Sequence, residues 1–85
     1  MKDIKSGLYK HFKGYNYFVI STAIDSENEA PFVLYSPENE KKLWIRPLEM
    51  FSSEVETPHG KKPRFEYLRE LKENEKQSLK QLILT

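Results

Sequence analysis

The chain has 85 residues, a net charge of +1 and no cysteine. That length makes one domain with a small core, and the composition excludes disulfides and any cysteine metal site. No apolar run approaches the roughly 18–20 residues of a membrane span; Met1-Lys2-Asp3-Ile4-Lys5 lacks the apolar core of a signal peptide, so a soluble, cytoplasmic protein is the expectation.

Gly7 to Gly14 alternates between two glycines, which predicts a short strand ending in a turn. Tyr9, His11 and Lys13 would share one face; Leu8, Lys10 and Phe12 the other. Tyr15 to Ile24 is the longest strand candidate, with Tyr17, Val19 and Ala23 on one face and Phe18, Ile20, Thr22 and Ile24 on the other. Both faces are largely apolar, as expected where a barrel closes or a second element covers the sheet. Asp25 to Pro31 is a polar turn in which Asp25, Ser26 and Asn28 suit local side-chain-to-backbone bonds. Phe32 to Tyr35 is the next strand and the hairpin partner of the previous one, and Ser36 to Lys41 is a second turn.

Lys42 to Phe51 is the stretch around which the chain is organised, and it holds the only tryptophan. Leu43 to Arg46 has strand character, with Trp44 and Arg46 on one face and Leu43 and Ile45 on the other. Pro47 has no amide proton, so the ladder ends there. Leu48 to Phe51 then predicts one helical turn, with Pro47 at its first position; Leu48 and Phe51 would plug the end of a small barrel. Ser53 to Glu56 reads as a short strand and Thr57 to Lys62 as a turn exposing His59. Pro63 to Leu68 alternates as a strand with Phe65 and Tyr67 on one face, a helix starting at Phe65 being the alternative. Asn74 to Leu84 is helical, with Asn74 and Gln77 in capping-box spacing. Its stripe of Leu79, Leu82 and Ile83 is expected to cover the core, the alternative being to pair two copies as a homodimer.

These elements predict a mainly β fold over 1–85: a small SH3-like antiparallel barrel or bent sheet of about five strands with a C-terminal helix. The β core would span 6–68 and the helix 74–84, with an α+β sheet-plus-helix arrangement as the alternative.

Catalytic signatures are missing. The three glycines are scattered, so there is no phosphate loop or dinucleotide fingerprint, and there is no nucleophile elbow. The two histidines lie far apart in sequence, and no ligand spacing suggests a metal. No cofactor, metal or catalytic residue is therefore assigned. The charge is unevenly spread: residues 1–24 carry a local +3, residues 25–40 a local −5 and residues 41–64 a local +3. A basic patch would form if the fold brought the first and third segments together.

The runs Gly7-Leu8-Tyr9-Lys10-His11-Phe12-Lys13-Gly14, Ser26-Glu27, Val33-Leu34-Tyr35, Leu43-Trp44-Ile45-Arg46-Pro47-Leu48-Glu49-Met50-Phe51 and Pro63-Arg64-Phe65 together resemble a family of small bacterial proteins called domain of unknown function 1653. The resemblance covers residues 6–68 and leaves the helical tail outside. Two segments depart from it: Asp25-Ser26-Glu27-Asn28 stands where the family often has His-Ser-Glu-Thr, and Ser36 to Lys41 differs from the usual loop. The resemblance implies no activity. It implies that Tyr9, His11, Lys13, Ser26, Glu27, Arg46 and Arg64 occupy family motif positions, and these are more polar than packing requires.

The leading expectation is a non-enzymatic binding module. His11, Lys13, Trp44 and Arg46, walled by Tyr9 and Tyr35 and supported by Ser26, Glu27 and Arg64, would receive a nucleotide, a nucleic-acid strand or an acidic peptide. The alternatives are a small enzyme with His11 as general acid or base oriented by Glu27, and a structural or oligomeric adaptor using the tail stripe.

Overall fold

Local turn chemistry organises the first half of the chain. The structure, a computed structural model, describes residues 4–84. Strand β1 (Gly7–His11) turns through Gly14, whose φ of 102° suits a residue without Cβ, into β2 (Asn16–Ile24). The next turn is held by its own side chains. Asp25 Oδ1 accepts the Glu27 N–H and Asn28 Oδ1 the Ala30 N–H, each at 2.9 Å. β3 (Pro31–Pro37) follows, then β4 (Trp44–Pro47), the helical turn α1 (Leu48–Phe51), β5 (Glu54–Thr57), β6 (Gly60–Pro63), β7 (Phe65–Arg69) and helix α2 (Glu73–Leu84). The main sheet is antiparallel in the order β4-β3-β2-β1-β7, and β5 and β6 form a separate hairpin.

The mainly β architecture with a C-terminal helix is as expected, and the sheet is bent rather than closed: β4 and β7 are its two edges. β6 corrects the expectation of a turn over Gly60 to Lys62 with Pro63 opening the next strand: Gly60–Pro63 is exposed throughout and has no apolar alternation to mark it as a strand. It pairs because Gly60 (φ 106°) closes a tight turn in which Thr57 Oγ1 donates to the Gly60 carbonyl at 2.6 Å.

One face of the sheet carries the core. Register sets Tyr9 opposite Tyr17 and Tyr67, Val19 and Trp44 opposite Tyr35, Arg46 opposite Val33, and His11 opposite Phe65. Tyr9, Val19, Val33, Tyr35 and Phe65 are buried there beneath Leu48 and Phe51 of α1. A bulge between Val19 and Ser21 inserts Ile20 as an extra residue. It corrects the expected alternation: Thr22, not Ala23, stands opposite Val33 and continues the face of Tyr17 and Val19. Pro47 ends the ladder opposite Phe32 as expected, but as the residue capping α1 rather than as its first residue.

Helix α2 lies against the other face, where Leu79 is buried and forms, with Phe18, Ser36 and Leu82, part of a groove. Of the expected stripe, Leu79 is committed to the fold, while Ile83 remains exposed. The helix start corrects the Asn74–Gln77 box. Lys72 accepts the first helical bond from Lys76 N–H at 3.0 Å, and Glu75 Oε1 reaches back to the Lys72 N–H at 2.7 Å, half of a capping box two residues earlier. Arg69 at the end of β7 forks onto both Glu75 oxygens at 2.9 Å. That hydrogen-bonded pair holds the Glu75 carboxyl down to about 2. A lowered carboxyl stabilises the fold above its unfolded value of about 4.5 and loses that effect as pH falls through about 2. Glu75→Gln should therefore be less stable than the parent in denaturant titrations at pH 7, and the difference should vanish between pH 4.5 and 2.

At Gly7, an added Cβ would stand 2.6 Å from the Arg69 carbonyl oxygen and 2.7 Å from the Tyr67 ring. The carbonyl is backbone and cannot step aside without opening the β1–β7 ladder. Gly7→Ala should cost about 1–3 kcal/mol by chemical denaturation; a stability equal to the parent would show that this edge is loosely paired. Among the described residues no helix is long and apolar enough to cross a membrane.

Candidate anion site at the mouth of the bent sheet

The bend brings both sheet edges to one place. Arg46 extends from β4 until its guanidinium carbon lies 5.5 Å from the ring of Phe65 on β7. Its Nε donates to Tyr35 Oη at 3.2 Å, and this bond aims the half-buried side chain. Arg46 has no carboxylate partner: among the described residues the ion pairs are Lys42–Glu40 and Arg69–Glu75. A half-buried guanidinium resting on an aromatic ring, whose outer nitrogens bond to none of the described residues, is suited to a planar or multiply charged anion.

Three rings stand in file along the mouth. His11 and Tyr17 are 6.2 Å apart between centroids, and Tyr17 and Trp44 are 6.0 Å apart. Tyr35 and Phe65 form the buried floor beneath them. Trp44 remains 38% exposed.

His11 is held as a neutral donor. Its Nδ1 accepts the Lys13 N–H at 3.2 Å, which leaves the proton of the neutral ring on Nε2. Burial lowers its pKa, and the charges of Arg46, Arg64 and Lys13 lower it further. The same three charges therefore act on the imidazole. Lys13 Nζ and the Arg64 guanidinium both lie over Phe12, at 5.9 and 6.0 Å, and Arg64 Nε is fixed by Ser53 Oγ at 3.0 Å. The Phe12 N–H donates to the Arg64 carbonyl at 3.0 Å, locking the first turn to the start of β7. A neighbouring groove adds Lys10 and Lys62, with Glu66 also on its lining. The fold thus joins the first and third basic segments into one patch.

Of the residues singled out in the sequence, His11, Lys13, Trp44 and Arg46 come together, with Arg64 beside them. Tyr35 is 2% exposed and serves as floor and hydrogen-bond acceptor rather than wall. Tyr9 belongs to the core, with its hydroxyl donating to the Lys5 carbonyl at 2.8 Å; burial and then the neighbouring Tyr67 raise its pKa. Ser26 and Glu27 lie in the β2–β3 turn, at the opposite end of β2 from His11. The length of that strand puts them on the order of 25 Å away, so Glu27 does not orient the imidazole. The wall that sequence reasoning missed is Tyr17, half-buried between His11 and Trp44. Its signal was present in the hairpin, whose register sets it beside the strand of His11. Among the described residues no cluster of His, Asp and Glu is placed to hold a metal.

The model of a family described as protein of unknown function, DUF1653, matches residues 7–67. The chain is also similar to a protein of that family from Bordetella bronchiseptica with a crystal structure: the TM-score is 0.75 and the identity 28%, over 85% of this chain and 96% of that one. No curated protein matches the chain.

Proposed function

We propose that this chain, which belongs to the DUF1653 family, is a non-enzymatic binding module that holds an anionic ligand in the mouth of its bent sheet. The observation that carries this is Arg46: a half-buried guanidinium aimed by Tyr35 Oη, seated on Phe65 and without a carboxylate partner among the described residues. Lys13 and Arg64 add charge beside it, His11 offers Nε2–H, and Tyr17 and Trp44 offer ring surface. Nucleotides, nucleic-acid strands and acidic peptides share the required chemistry. A general acid or base role for His11 loses its expected partner, because Glu27 lies at the far end of β2, and among the described residues no carboxylate bonds to the ring.

An amide NMR titration with each ligand class tests this at low and at higher salt. Shifts should gather on residues 11–13, 17, 44–46 and 64, and weaken as salt rises. Binding should also tighten as pH falls below 6.5, because an anion favours the protonated form of an imidazole whose free pKa lies below that value. His11→Gln should remove the part of that pH dependence that belongs to the protein. Absence of shifts with every anion, or shifts scattered over all lysines, would contradict the proposal.

A further inference from the structure

The mouth is not uniform along its length, and this distinguishes among anions. Positive groups gather toward the His11 end: Lys13 and Arg64 lie over Phe12, whose ring is 4.5 Å from that of His11, and Arg46 lies over Phe65, whose ring is 4.9 Å from it. At the other end Trp44 is 38% exposed, and among the described residues no cation sits over its ring. In the turn leading into β4, Lys42 is already paired with Glu40 at 3.3 Å. Tyr17 bridges the two ends at 6.2 and 6.0 Å from its ring neighbours.

An acidic peptide spreads its carboxylates along its length. It would need free cations at both ends, and the lysine in the turn before Trp44, Lys42, is paired with Glu40. A bare inorganic anion would use the cations and leave Trp44 idle. A ligand whose compact polyanion is joined through a short neutral spacer to a flat ring matches both ends together. Resting on the anion-binding proposal above, we infer that the ligand is a nucleoside 5′-phosphate unit, its base stacked on Trp44 and Tyr17 and its phosphate held by Arg46, His11 Nε2–H and Lys13. The unit comes either as a free nucleotide or within a single strand, since both present the same base and phosphate.

Trp44 is the only tryptophan, so its fluorescence reports occupancy directly. The intact protein would be titrated with adenosine 5′-monophosphate, uridine 5′-monophosphate, adenosine, ribose 5-phosphate, oligoglutamate and a short single-stranded oligonucleotide. The nucleotides should quench Trp44 and bind at least about 10-fold tighter than either adenosine or ribose 5-phosphate. By calorimetry, Trp44→Ala should weaken nucleotide binding by at least about 5-fold while ribose 5-phosphate binding is unchanged; Trp44→Phe, which keeps a ring, should retain most of the affinity. An oligonucleotide that binds more tightly per site than the mononucleotide assigns the unit to a strand; equal affinity assigns it to the free nucleotide. Ribose 5-phosphate or oligoglutamate binding as tightly as the nucleotides would overturn this inference and leave the anion site standing. Failure of every anion to bind would overturn both.

Discussion

Replacing Arg46 by methionine is expected to abolish anion binding and leave the chain folded. Methionine keeps an unbranched stem over Phe65 but has neither charge nor donor. Removing a partly desolvated charge from a ligand contact costs about 2–5 kcal/mol, or roughly 30-fold and upward in affinity. The variant also deprives the Tyr35 hydroxyl, in a residue 2% exposed, of the group it pairs with. That adds a stability loss of about 1–2 kcal/mol, which the fold should survive. Tyr35→Phe separates the two effects: it removes the aiming bond and keeps the guanidinium, so binding should weaken by less than about 10-fold. Calorimetry for binding and circular dichroism for folding read both outcomes. Undiminished affinity in the methionine variant would make Arg46 a packing residue.

Phe51→Ala should be the most damaging core substitution, with an expected loss of about 3–5 kcal/mol. Phe51 is 2% exposed and stacks face to face on Phe65, with centroids 4.0 Å apart and planes within 5°. It meets Tyr9 and Tyr35 edge-on at 5.5 and 5.7 Å. The four residues of α1 cannot sustain a helix by themselves, so the element depends on what Leu48 and Phe51 bury. For a domain of this length total stability is about 4–13 kcal/mol, so the loss is a large share of it. Phe51 supports Phe65, and Phe65 supports Arg46, so the surviving folded fraction should also bind anions less well. A loss below about 1.5 kcal/mol in urea would show that the aromatic core repacks around the gap.

Much of this was legible in the sequence because strand alternation is local. Trp44 and Arg46 do share a face, Pro47 does stop the ladder, and Leu48 and Phe51 do turn inward. What was not legible depends on register between strands. The extra residue at Ile20 shifts every later side chain of β2 to the opposite face, and no local signal marks that bulge. Alternation places Tyr17 on an apolar strand face but not beside Trp44, because their contact crosses the bend between β2 and β4. Tyr9 has the same alternation as His11, yet lies two residues deeper, under Phe51, where it is core. The resemblance draws attention to Ser26 and Glu27, but the nine residues of β2 carry them away from the mouth, and their side chains have no part in the site.

The most direct test uses the arginines, of which the chain has three: Arg46, Arg64 and Arg69. The guanidinium Nε–H signals would be followed by nitrogen-15 NMR as adenosine 5′-monophosphate is added. The Arg46 signal should move first and saturate, with Arg64 following in part. Arg69, already forked onto Glu75 at 2.9 Å, should stay still. An Arg46 signal that does not move, or three signals that drift together without saturating, would contradict a site in the mouth of the sheet.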